Sequence, residues 1–263
     1  MLTALLAVSG LLLLGCGVGV VITAVGIGGG VLMVPAFMGF VPAMDAHTAK
    51  GTSLFIIGFV AAVAVRRGRR GGGGPPWSVA AWMAAGSVLG AFTAAWLTAR
   101  LPERLVVGGF LALLLWLAVQ TFLLKNAPRP HEVRRRPGLS VLVGLGAGAA
   151  SGATGTGGGL VLVPLSLIAG VTTNGHAVLL SNMVMIATSA AGTLAHLTAP
   201  PEYPSPWTIG QVWLPPVPLV LLGTLAGMRA GERANRILTL PRRRALMGAL
   251  LLLIAAQMAR ELL

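Results

Sequence analysis

Two glycine clusters, Gly28-Gly29-Gly30 and Gly157-Gly158-Gly159, are each followed five residues later by a proline, Pro35 and Pro164, and then by a polar bend. The first bend reads Asp45-Ala-His47-Thr48-Ala-Lys50-Gly51-Thr52-Ser53, and the second Thr172-Thr173-Asn174-Gly-His176, with Ser181-Asn182 beyond it. These residue types suit the capture of a small oxyanion. A helix that starts after a glycine break presents free N–H groups and a partial positive charge, and glycine lets an anion approach that backbone closely. The hydroxyls of Thr52, Ser53 and Ser181 and the amide of Asn182 can complete an anion shell, and Lys50 can supply a charge. A lysine at mid-bilayer costs about 2.5–3.5 kcal/mol on insertion scales, so Lys50 either serves a site or snorkels from a bend near the interface. Asp45, His47 and His176 fit proton coupling, but also capping and packing. The glycines likewise fit either a lined site or close helix packing. His196 ends an apolar run and reads as an interfacial residue.

The elements that must position these groups come in two similar sets. Gly26-Ile-Gly-Gly-Gly-Val-Leu-Met-Val-Pro35 matches Gly155-Thr-Gly-Gly-Gly-Leu-Val-Leu-Val-Pro164 at a constant offset of 129 residues. The register continues through Asp45/Asn174, His47/His176, Thr52/Ser181 and Ser53/Asn182, which is the mark of an internal duplication. Apolar segments fall at 2–25, 31–43, 51–65, 77–99 and 105–124, and again at 139–154, 160–173, 177–197, 208–228 and 245–259. Several are long enough to cross about 30 Å of hydrocarbon. Segments 31–43 and 160–173 are not: fourteen helical residues reach only about 21 Å, and each contains a proline that breaks the ladder. The expected fold is an all-α polytopic membrane protein of two repeats, 1–124 and 139–263, joined by a basic linker, 125–138. Each repeat has about five hydrophobic segments, with broken or re-entrant half-helices at the glycine motifs.

With 56% apolar and only 10% charged residues the chain is unlike a soluble domain, although its net charge is +13. Fifteen of the nineteen cations lie in 66–70, 125–136 and 229–244. That clustering excludes a nucleic-acid partner, which would call for cations spread along solvated helices. Cys16 is the only cysteine, so a disulfide scaffold is excluded too, and it reads as a packed residue. The loop Arg66-Arg-Gly-Arg-Arg70 corresponds to the cation-free 198–206, whereas the weakly charged 100–104 corresponds to the arginine-rich 229–244. By the positive-inside rule, equivalent loops lie on opposite sides of the membrane, and the repeats are inverted. Both termini are then expected outside, in a cell membrane of the prokaryotic inner-membrane type, with 66–76, 125–138 and 229–244 in the cytoplasm. The arginines contact anionic lipid, and Trp77 and Trp207 suit interfacial anchoring.

The Gly-x-Gly-Gly-Gly-x-x-x-x-Pro pattern, followed by Ala49-Lys50-Gly51-Thr52-Ser53-Leu54, resembles the TauE/SafE sulfite exporter family over essentially the whole chain. The resemblance implies a permease for sulfur-containing anions such as sulfite or organosulfonates. Leu180-Ser181-Asn182 departs from the Gly51-Thr52-Ser53 of the first half. Broken half-helices at matching positions of two halves point to a secondary transporter working by alternating access, with its site at mid-depth. No nucleotide motif is present: neither glycine cluster continues into Gly-Lys followed by Ser or Thr. No cofactor, no metal and no enzymatic activity are expected, because Asp45, in the bend between two apolar segments, is the one carboxylate placed near mid-membrane. The alternatives are a non-transporting membrane scaffold subunit and, less favoured, a membrane-embedded enzyme. Assembly with further copies of the chain is left open.

Overall fold

The computed structural model describes residues 2–259, apart from 26–27, 42–43, 70–74, 76, 124–132, 134–135, 202, 204, 238–241, 243–244, 247, 250, 254 and 257–258. The expected linker 125–138 therefore lies mostly outside the described residues. The chain is mostly helical: α1 (Leu2–Val25), α2 (Gly30–Phe40), α3 (Ala46–Arg69), α4 (Trp77–Thr98), α5 (Glu103–Leu123), α6 (Pro137–Thr154), α7 (Gly159–Ile168), α8 (Asn174–Leu197) and α9 (Pro216–Ile237). Further helical residues occur between 242 and 259. Ala46–Arg69, Trp77–Thr98 and Gly175–Leu197 are long and apolar enough to cross a membrane. The two segments expected to be short form α2, of 11 residues, and α7, of 10, with Pro35 and Pro164 inside them. At 1.5 Å per residue each covers roughly half the hydrocarbon thickness.

One apolar segment resolves differently from its hydropathy. Residues 208–213 are a small antiparallel hairpin, β1 (Thr208–Ile209) with β2 (Val212–Trp213), and α9 begins only at Pro216. Gly210 takes φ +56 in the two-residue turn, where a positive φ matches the strand twist.

Helices of one half pack on helices of the other. The most extensive pairings are α1 with α9, α4 with α6, and α3 with α8. The first two share one device. Gly15 and Gly19 of α1 face the backbone of α9 at Val220 and Thr224, while Gly223 and Gly227 face α1 at Leu12 and Cys16. In the other seam Gly86 and Gly90 of α4 face α6 at Val141 and Leu145, and Gly144, Gly148 and Gly152 of α6 face Met83, Ser87 and Ala91. A methyl group at any of these glycines would overlap a carbonyl oxygen of the partner helix. The matched residue numbers rise together in both seams, so these partners run parallel. Spacing of four residues puts such glycines on one stripe, which lets backbones touch in membrane bundles. By contrast α3 and α8 run antiparallel: Gly51 faces His196, Leu54 lies on Gly192 and Gly68 faces Leu179.

The two ends of the bundle differ in charge. Arg67, at the end of α3, pairs with Glu232 of α9 at 3.6 Å, and Arg69 stacks 3.7 Å over the Trp77 ring. The basic stretches 66–69 and 229–233 thus share one end. At the other end the hairpin reaches Ala99 and His196, gathering the weakly charged 99–104 and 198–215. Trp77 and Trp207 are both exposed, as suits interfacial anchors.

Gly227→Val forces a side chain into the α1–α9 seam and is expected to cost about 1–3 kcal/mol as overpacking. Gly17→Val, two residues from the stripe and with open space around it, serves as the contrast. Thermal unfolding in detergent should show a lower midpoint for the first and little change for the second; equal shifts would contradict the seam.

Candidate functional site

The two glycine-rich breaks meet in the core. Gly28 and Gly30 press on the carbonyls of Thr156 and Gly155, close enough that a methyl group on either would clash. The second break bends through Gly155, Gly157 and Gly158, at φ +71, +78 and +87, a region that other residues enter only under strain. Gly155 closes α6 by donating its N–H to Ser151 O at 2.8 Å, and Gly158 precedes α7, accepting from Val161 N and Leu162 N at 3.1 and 2.8 Å. Gly159, the first residue of α7, lies against Gly28, so that helix starts where the breaks cross. Gly29 precedes α2 in the same way and accepts from Met33 N at 3.1 Å.

Hydroxyls surround the start of α7. The Ser181 Oγ lies 3.1 Å from where a Cβ on Gly159 would stand, and it donates to Met185 Sδ at 3.7 Å. Ser151 is fully buried, and its Oγ, which has no hydrogen-bond partner among the described residues, lies 3.6 Å from the corresponding point over Gly158. Thr188 stands beside it and is hydrogen-bonded to Ser87 of α4. Asn182 is also buried on α8.

The opening turns of α3 cover the second break from the other side. Lys50 is 1% exposed; its Nζ donates to Ala153 O at 3.3 Å and its stem lies against Gly155. Ser53 donates to Gly155 O at 3.0 Å. These two bonds give donors to carbonyls at the C-terminus of α6, where the helix leaves acceptors unused and a cation is favoured. Thr52 Oγ1 does not turn to the break but accepts from Trp213 N of the hairpin at 2.9 Å. Asp45 accepts from Thr48 N at 2.7 Å through Oδ1 and so caps α3. A cleft of about 210 Å³ between α5 and α6 reaches Ala153 and Thr154, and among the described residues no charged side chain lines it.

The structure thus brings Gly28, Gly29, Gly30, Lys50, Ser53, Gly157, Gly158, Gly159 and Ser181 around one centre, with Thr52 one layer out. It does not bring the three expected coupling groups together. His47 is buried on α3, Asp45 is a cap, and His176 is exposed at the start of α8. His196, expected at the interface, is instead fully buried, with Nδ1 2.7 Å from Gln211 Oε1. Its burial comes from the hairpin folding back over the end of α8. Ser151, Thr188, Ser87 and Gln211 are polar neighbours that hydropathy alone does not single out. Among the described residues no cluster of three or more His, Cys, Asp or Glu could hold a metal ion.

An apolar helical bundle with two broken helices crossing in its core, and with buried polar groups at that crossing, defines an integral membrane protein of the broken-helix type. The family model for the sulfite exporters TauE/SafE matches residues 11–258, and the chain belongs to that family, one of membrane transporters and exporters. No curated protein and no solved structure matches the chain.

Thr52→Val leaves the Trp213 amide without its acceptor, a loss of about 1–3 kcal/mol for a buried donor. The hairpin should loosen selectively. Limited proteolysis between 198 and 215 is expected to speed up in the variant, with cleavage elsewhere unchanged; identical cleavage rates would show that this bond does not hold the hairpin.

Proposed function

We propose that the protein is a secondary transporter for small sulfur-containing anions such as sulfite or organosulfonates, held where the two glycine-rich breaks cross. The observation that carries this reading is the convergence of the α2 and α7 N-termini on one point, with the buried Lys50 and Ser151 against it. Free amides and helix dipoles favour an oxyanion, and irregular backbone at membrane depth is tolerated where it lines such a site. Family membership supports the substrate class.

The same proposal includes two inverted repeats, 1–124 and 139–263, that alternate access to the site. Three features support it. The counterparts α3 and α8 run antiparallel; the seam of α1 with α9 repeats that of α6 with α4 under exchange of the halves; and basic stretches gather at one end. By the positive-inside rule that end is cytoplasmic, in a cell membrane of the prokaryotic inner-membrane type, and both termini face outward.

Ser151 offers a clean test because its hydroxyl holds nothing in place. Ser151→Ala removes a buried hydroxyl with no partner among the described residues, so stability should hold or rise. A lost hydrogen bond to a charged ligand, about 1.5–3 kcal/mol, should weaken anion affinity about 10- to 100-fold. Purified protein is screened by thermal shift against sulfite, thiosulfate, sulfoacetate, taurine and sulfate, and flux is then followed in proteoliposomes. A chain that moves none of these anions is a scaffold, and one that converts the anion is an enzyme. Unchanged affinity in Ser151→Ala would move the site elsewhere.

A further inference from the structure

His196 stands in the last turn of α8 and is fully buried. Its partner Gln211 is fully buried as well, and donates its backbone N–H to His196 O at 3.0 Å. The Gln211 side-chain amide bridges two neighbours. Its Nε2 faces Ala99 O at 3.5 Å, and its Oε1 faces His196 Nδ1 at 2.7 Å. Reversing it would set oxygen against the Ala99 oxygen. An amide oxygen only accepts, so the ring hydrogen is on Nδ1, and in the neutral ring Nε2 carries a bare lone pair. That Nε2 is buried and has no hydrogen-bond partner among the described residues.

The surroundings of this lone pair are specific. From α3, His47 and Lys50 lie within electrostatic reach of the ring, and Gly51 packs on its Cβ. The segments of α4, α6, α7 and the hairpin contain no titratable side chain at all. Among the described residues the side chains that act on the ring are Lys50, His47 and Gln211, with no carboxylate among them; Asp45, the nearest carboxylate in sequence to His47, is engaged with Thr48 N through Oδ1. Lys50 is bound to the carbonyl of Ala153 at the edge of the glycine crossing and so links an anion held there to the His196 ring, on which its charge acts.

We propose that Nε2 of His196 takes up the proton that travels with the anion. This rests on the anion-transport reading and adds its coupling ion. The imidazole becomes imidazolium, and the compensating charge is the transported anion held beside Lys50. Each ligand then stabilises the other, and by linkage the effect is reciprocal. Gln211 is a positioning residue: it holds the hydrogen on Nδ1 and leaves the lone pair on Nε2. The coupling centre belongs to one half only, since position 67, the counterpart of His196 at the 129-residue offset, is Arg67.

Two measurements test it. Nitrogen-15 NMR of histidine-labelled protein in detergent, with His196→Gln for assignment, should show the His196 ring in its Nδ1–H form and, in Gln211→Leu, a mixture of tautomers. A ring carrying its hydrogen on Nε2 would overturn the proposal whatever transport shows. In proteoliposomes the probe is thiosulfate, which does not titrate near neutrality. For wild type, an inward proton gradient should drive net accumulation with proton uptake; for His196→Gln, the ratio of gradient-driven uptake to thiosulfate exchange should fall by about tenfold or more. An unchanged ratio rejects His196 as the coupling site while leaving anion transport standing. Absence of both uptake and exchange for every sulfur anion screened would instead remove the transport reading itself, and coupling with it.

Discussion

Two helix backbones can touch only where neither carries a Cβ, and this bundle is tied together by two such seams. Gly15, Gly19, Gly223 and Gly227 close α1 on α9, while Gly86, Gly90, Gly144, Gly148 and Gly152 close α4 on α6. In a lipid environment burial of apolar surface gives no preference for protein over lipid, so helix association rests on close packing. Both seams join opposite halves of the chain. The crossing of the breaks depends on that arrangement: with α1 fixed to α9 and α6 fixed to α4, the breaks that follow these two helices, at 28–30 and 155–158, are carried to the same region of the core.

Breaking a helix in that region leaves acceptors that water does not reach. The second break settles part of this account with side chains of the first half, through Lys50 to Ala153 O and Ser53 to Gly155 O. Lys50 is consequently a structural cation at a helix C-terminus before it is anything else. Its burial needs no bound ligand. Buried polar atoms left without a hydrogen-bond partner among the described residues include the Ser151 hydroxyl beside Gly158, and the Nε2 of His196 under the hairpin.

Much of this was legible in residues. The repeated glycine clusters mark both breaks, and the short spans with Pro35 and Pro164 become α2 and α7. The seams were less visible, because with 37 glycines the four-residue spacing at Gly144, Gly148 and Gly152 does not stand out from its background. The hairpin was hidden in an apolar run, since Thr208-Ile209 and Val212-Trp213 raise hydropathy as a helix would. Its signal was the β-branched and aromatic flanks of Gly210-Gln211, bounded by Pro206 and Pro215. Missing the hairpin also misplaced His196, whose burial is decided by a residue fifteen positions later and not by the helix that carries it.

The hairpin also explains why two similar halves need not make a symmetric site. Thr52 and Ser181 are equivalent in sequence, yet Thr52 is engaged by Trp213 while Ser181 faces the start of α7. His47 is buried where His176 is exposed, and Lys50 has Leu179 as its counterpart. Each difference puts cationic and protonatable groups on the side closed by the hairpin, leaving hydroxyls on the other. The crossing of the breaks therefore has a charged wall, with Lys50, and a neutral one, with Ser151 and Ser181.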